Sequence, residues 1–322
     1  MPYSNDIYRK AERELERRRE RAELIAEERR EEIRRKLPEV DKLQRELAGV
    51  GLEISRLFFL KEEAPAKLEE LKAKSKALVA QRNAVLTQNG YDEDAMKPDF
   101  ICPHCEDKGF IGGRMCACHK QLLKDIMRRE VSRFAPLERC TFDTFDLNYY
   151  SDTPLENSVI PRQRAEKISD AAFRYAQGFQ RGSKNILFLG STGLGKTHLS
   201  LAIANVVINS GLSVCYGTSQ NICDDLRNEM FGRDNGLDYT KDKVLQADLL
   251  IIDDLGTEIE NQYNTATLYN IINCRILSGR PTVISTNYDF DELLDKYDQR
   301  ITSRLNGEYV KMTLVGTDIR NK

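Results

Sequence analysis

The chain has 322 residues, enough for two or three compact units and a sizeable core. Its 49 basic and 51 acidic side chains leave a net charge of -2, so bulk charge argues neither for nor against a nucleic-acid partner. No apolar run reaches membrane-spanning length and the opening "MPYSNDIYRKAERELERRRE" has no signal-peptide apolar stretch; a cytoplasmic protein without a disulfide framework and without a membrane partner is expected.

Residues 1–89 read as a charged, Gly-poor helical arm. A first helix, about Tyr8 to Lys36, is nearly all Arg and Glu, with a thin apolar series at Ala11, Leu15, Ala22, Ile25, Ile33 and Leu37. Pro38 stops it and suits the first turn of the next helix. There Val40, Leu43, Leu47, Val50, Ile54 and Leu57 recur at three- and four-residue steps, although Gly49 and Gly51 weaken the helix. Pro65 opens a third helix striped by Leu68, Leu71, Leu78, Val85 and Leu86, and Gly90 ends it. The two striped helices predict an antiparallel, coiled-coil-like hairpin, either purely structural or a docking arm for a partner.

Next, "CPHCEDKGFIGGRMCACHK" gathers four of the 8 cysteines and two of the 3 histidines. Cys102-x-x-Cys105 and Cys116-x-Cys118 flank a turn containing Gly109, Gly112 and Gly113. Clustered cysteines in a cytoplasmic chain read first as metal ligands, and four thiolates close the tetrahedral shell that structural zinc uses. The second pair is tight, so His119 or His104 is an alternative to one thiolate. Redox pairing of Cys102 with Cys105 is the rival reading, but no βαβ frame surrounds it. No general base stands nearby, so the Zn²⁺ is expected to be structural. Leu122, Leu123, Ile126, Met127 and Val131 mark a following helix that Pro136 stops, giving a zinc module over residues 90–135 and a linker over 136–160. Cys140, Cys215, Cys223 and Cys274 read as small buried hydrophobes.

Residues 161–322 alternate helix and buried strand. Ile168–Gln180 and Leu199–Asn209 are expected helices; "NILFLG", "SVCYG", "DLLIIDD" and "PTVIST" are expected strands, which together predict a three-layer parallel α/β sheet. Between strand and helix, Gly190, Ser191, Thr192, Gly193, Leu194, Gly195, Lys196 and Thr197 fit G-x-x-x-x-G-K-[ST] in full. The glycines let backbone N–H groups turn in around phosphate oxygens, Lys196 reaches the β- and γ-phosphates of ATP, and Thr197 helps hold Mg²⁺. Asp253, at the end of an apolar strand, suits a Mg²⁺-orienting carboxylate; Asp254 is a candidate base for the attacking water, which Glu258 can assist. Asn287 ends the next strand, where a neutral polar group can orient water or simply cap a turn. Arg300 and Arg304, four apart, share a helical face; either can pair with Asp298 or enter a neighbouring subunit's ATP site. Arg320 is a candidate γ-phosphate sensor. In "NEMFGRDNGLDYTK", Phe231, Arg233 and Tyr239 suggest weak, salt-sensitive single-stranded DNA binding, unless Phe231 merely closes its helix against the core.

The series GSTGLGKTH, LLIIDDLGTE, ISTN, RITSRL and GTDIR resembles the DnaC/DnaI branch of the AAA+ ATPases, the bacterial replicative helicase loaders. "FDTFDLNYYS" and "GYDEDAMKPDFICPHCEDKGFIGG" extend the resemblance to the zinc-bearing N-terminal part of DnaI-like loaders, over residues 90–322. It implies a Walker A pair at Lys196 and Thr197, a Walker B pair at Asp253 and Asp254, sensor 1 at Asn287, an arginine finger at Arg304 and sensor 2 at Arg320. It also implies self-association through ATP-site interfaces, and ATP-dependent loading of a hexameric replicative helicase onto single-stranded DNA in replication initiation or restart. The zinc module would then grip the helicase. The same motor motifs are similar to IstB-type transposition helper ATPases, which generally lack such a module. A metabolic P-loop kinase ranks last, for want of a substrate lid.

Overall fold

A computed structural model describes residues 3–57, 64–156, 158–233 and 238–319. The chain forms two compact units, one of Glu12–His119 and one combining Met1–Ala11 with Lys120–Lys322.

In the first unit, α1 (Asn5–Lys36) is followed by α2 (Pro38–Leu57) and α3 (Ala64–Gln88). Leu15, Ala22, Ala26 and Ile33 form the buried stripe of α1, while Ile25 is exposed: steps of seven and four keep to one face, and Ile25 lies about 100° off it. Gly49 and Gly51 do not interrupt α2. Val40 meets Leu86 in one cluster with Ile33, and Leu43 and Val50 meet Leu71 and Leu78 in another, as the expected antiparallel hairpin requires. A minimal hairpin follows, β1 (Phe110–Ile111) and β2 (Arg114–Met115), turned by Gly112 and Gly113, both at positive φ.

The second unit holds α4 (Ala117–Ser132, which begins in the first), α5 (Pro161–Gln177), β3 (Asn185–Leu189), α6 (Lys196–Asn209), β4 (Val214–Thr218), α7 (Ser219–Met230) and α8 (Lys241–Gln246). It continues through β5 (Leu249–Leu255), α9 (Gln262–Leu277), β6 (Thr282–Thr286), α10 (Phe290–Lys296), α11 (Gln299–Glu308) and β7 (Tyr309–Thr313). The expected parallel three-layer core is present: a five-stranded, all-parallel sheet in the order β4-β5-β6-β3-β7 with helices packed against it. β5 buries six of its seven residues, as a central strand covered on both faces must. α5 starts at Pro161, seven residues before its expected start, because proline fits the first helical position and the buried face is mostly alanine. β7 was not anticipated; as an edge strand it leaves Val310 and Lys311 exposed and shows no apolar run.

This order sets β3, β6 and β5 side by side, so their C-terminal ends open onto one crevice.

Candidate nucleotide site and metal knuckle

At the end of β3 the chain turns through Gly190, Gly193 and Gly195, all at positive φ, before α6 begins. A Cβ at Gly190 would collide with the Leu314 carbonyl, and one at Gly195 with Phe145 and Tyr150, so these positions require glycine twice over. Ser191 and Thr192 are exposed at the rim, while Leu194 is buried and anchors the loop. Lys196 is buried, and its Nζ donates to the carbonyls of Gly190 (2.6 Å) and Ser191 (2.8 Å) and to Asn287 Oδ1 (2.8 Å). An ammonium curled inside a cradle at a helix N-terminus fits a bound polyphosphate.

Beside it, Asp253 accepts from Thr197 Oγ1 at 3.1 and 3.0 Å, from Tyr216 OH at 2.7 Å, and from Ser285 Oγ. Burial and the Asp253 carboxylate push the Tyr216 hydroxyl up, so it remains a donor. Asp254 sits at φ 54°, the left-handed region, with its N–H donating to Ser285 Oγ (3.0 Å). Asn287 Nδ2 reaches Asp254 Oδ1 at 3.4 Å. The crevice therefore brings Lys196, Thr197, Asp253, Asp254 and Asn287 together. Tyr216 and Ser285, which orient Asp253, were not foreseen; a single hydroxyl inside an apolar strand carries no sequence signal.

Glu258 takes no place in this group. It is buried, accepting from Gly256 N–H (2.9 Å) and from Tyr297 OH. Arg300 is tied to Asp298 by Nε (3.0 Å) and Nη2 (2.6 Å), whereas Arg304 donates to Asn273 Oδ1 (2.8 Å) and the Arg300 carbonyl (3.0 Å). Arg320 lies outside the described residues. The preceding tail returns to the phosphate loop: Ile319 N–H donates to the Gly193 carbonyl (3.2 Å), and the Asp318 carboxylate fills the space a Cβ on Gly193 would need.

Within 136–160, expected as a linker, residues 137–150 meet α6 and the phosphate loop before it. Tyr150 OH donates to the Leu194 carbonyl (2.9 Å), Asn205 Nδ2 to the carbonyls of Leu137 (2.7 Å) and Cys140 (2.8 Å), and the Phe145 ring meets His198 edge-on. Tyr239 corrects one expectation: at 2% exposure it packs on Phe134 beneath Gly217 and cannot stack on a base. Phe231, 64% exposed, does not close its helix against the core.

In the other unit, the Sγ atoms of Cys102, Cys105, Cys116 and Cys118 lie within 4.8 Å of one another. Cys102–Cys116 is 3.8 Å and Cys105–Cys118 is 3.3 Å. A tetrahedral shell with zinc–sulfur bonds of about 2.3 Å has edges of about 3.8 Å, so four thiolates fit zinc. A hydrogen bond from the Cys105 backbone holds the Cys102 thiol down to about 7, while burial raises those of Cys105 and Cys118. His119 is outside the quartet: it is buried edge-on to Phe110 (5.2 Å) and against Gly109. Asp107, unforeseen, shapes the knuckle by accepting from the N–H groups of Ile101 (2.8 Å) and Cys102 (3.0 Å).

Residues 164–305 match the family described as IstB-like ATP binding protein. The replicative helicase loader DnaC of Buchnera aphidicola subsp. Baizongia pistaciae is 29% identical over 160 residues, 48% of this chain and 64% of that protein. Its Escherichia coli K12 counterpart is 28% identical over 156 residues. The chain thus spans just under two thirds of the length of these relatives. The crystal structure of the DnaC helicase loader superposes with a TM-score of 0.45 at 21% identity, covering 56% of this chain and 99% of that one. Over its α/β portion the chain is similar to replicative helicase loaders and to IstB-like ATP-binding proteins. No helix among the described residues is long and apolar enough to cross a membrane.

Proposed function

We propose that the chain is a Mg²⁺-dependent ATPase that binds a hexameric replicative helicase and places it on single-stranded DNA. The observation that carries the ATPase reading is the convergence of Lys196, the Thr197–Asp253 pair, Asp254 and Asn287 at the ends of three adjacent strands. Lys196 would exchange its loop carbonyls for β- and γ-phosphate oxygens. Thr197 and Asp253 would hold Mg²⁺, whose charge offsets that building on the phosphates. Asp254 would take a proton from the attacking water, and Asn287, bridging Lys196 and Asp254, would keep that water in line. Arg304 would act in trans, in the site of a neighbouring copy. The loader role is supported by the likeness to DnaC over about half the chain.

The match of residues 164–305 supports a second reading, an IstB-like transposition helper. Two measurements test the set. Lys196→Ala should weaken ATP binding and reduce turnover by about 100-fold or more, since the cation facing the phosphates is gone; undiminished turnover overturns the ATPase. Capture of a purified hexameric helicase rather than a transposase separates loader from helper, and capture of the transposase alone overturns the loader.

A further inference from the structure

Two arginines in this chain are held in opposite ways. Arg275 is fully buried with its N–H groups spent on the carbonyls of Val244, Leu245, Ala247 and Pro281 and on Thr282 Oγ1, the arrangement of a structural cation. Arg304 is half-exposed, has no carboxylate partner among the described residues, and uses Nε and Nη1 but not Nη2. Its guanidinium carbon stands 4.6 Å from the centroid of the Tyr269 ring, and Asn273, one turn further along α9, accepts its Nε–H at 2.8 Å. Arg300 shares the same ring at 5.2 Å, but Asp298 already answers its charge.

We infer that Tyr269 and Asn273 are positioning residues that pre-set Arg304 for the terminal phosphate of a nucleotide held by a neighbouring copy of this chain; the inference rests on the trans reading of Arg304 proposed above. Two like charges one turn apart repel, and an unrestrained arginine samples many rotamers. The electron-rich ring face attracts both guanidiniums, which lets them stand side by side. The hydrogen bond to Asn273 then fixes the rotation of the Arg304 fork through Nε, with Nη1 on the Arg300 carbonyl, and Nη2 is the edge left for a phosphate. Since transfer chemistry is sensitive to displacements of about 1 Å, a loosened fork should lose catalysis without losing charge.

The test uses full-length chains mixed pairwise, with ATP turnover as the readout. Lys196→Ala chains have a dead site and an intact finger; Arg304→Ala chains have the reverse. Mixing them should restore activity. Adding Tyr269→Leu to the Lys196→Ala donor keeps apolar packing but removes the ring, and recovery should fall about 10-fold. Tyr269→Phe in the same donor keeps the ring face and should restore recovery in full, while Asn273→Ala should lower it. Nucleotide binding by Tyr269→Leu alone should equal wild type, which separates lost positioning from misfolding. Full recovery with the Tyr269→Leu donor overturns this inference and leaves the trans reading standing. No recovery in the reference mixture overturns the trans reading, and the inference with it.

Discussion

Asp253 receives hydrogen bonds from three side chains on three different elements, Thr197 of α6, Tyr216 of β4 and Ser285 of β6, so both its oxygens are aimed before any metal arrives. Orienting donors of this kind are worth up to about 10–100-fold in metal affinity. Tyr216→Phe removes one without changing shape, so the Mg²⁺ concentration needed for half-maximal turnover should rise by roughly 10-fold while metal-free nucleotide binding is unchanged. A Mg²⁺ titration that overlays wild type would show that Thr197 and Ser285 suffice. Asp253 and Asp254 were legible as candidates because they close an unbroken apolar run, and Asn287 because it ends the next β-rich run, where a polar residue marks the strand's end. Tyr216 and Ser285 were not, because aromatic and hydroxyl residues are ordinary strand formers and only the register β4-β5-β6 turns them toward Asp253. Asp107 was hidden differently: in a charged turn, an Asp that satisfies two backbone N–H groups looks like any other turn residue.

The helical hairpin, the phosphate loop and four of the five strands follow from local periodicity and turn chemistry. Residues 136–160 do not, since their aromatic residues follow no helix or strand period and gain meaning only through the Leu194 carbonyl and His198 they meet. The knuckle is a third case, legible in its clustered thiols but not in their support. Its strands are two residues each, and its interior is little more than the sulfur cluster with Gly109 packed against Leu15 and His119. A unit with so little apolar burial would draw its folding energy from a bound zinc. Chelation should therefore release about one zinc per chain and expose residues near Cys102–Cys118 to protease and to thiol reagents, with nucleotide binding intact. Protection that survives complete zinc removal would mean that packing alone holds the knuckle.

Across the whole molecule, the candidate nucleotide site and the thiol cluster are segregated. The four thiols fall within Glu12–His119, and every described residue assigned to ATP falls within the other unit. A small unit clamped by zinc would add nothing to phosphoryl transfer, since a quartet of thiolates would close the shell and leave no open position for water or substrate. Rigid presentation of a surface is the use that remains, and under the proposed loader role that surface would meet the helicase. Cys102→Ser combined with Cys105→Ser in the full-length chain should then lose capture of a purified hexameric helicase while keeping wild-type ATP binding, because the Ser191 carbonyl on Lys196 and the Thr197 and Tyr216 hydroxyls on Asp253 all come from the nucleotide-binding unit itself. Lys196→Ala should do the reverse, retaining capture while losing turnover. The paired design matters, since a variant that lost both would only report misfolding. Capture at wild-type strength by the double serine variant would move the helicase contact to the nucleotide-binding unit and leave the knuckle a structural clasp.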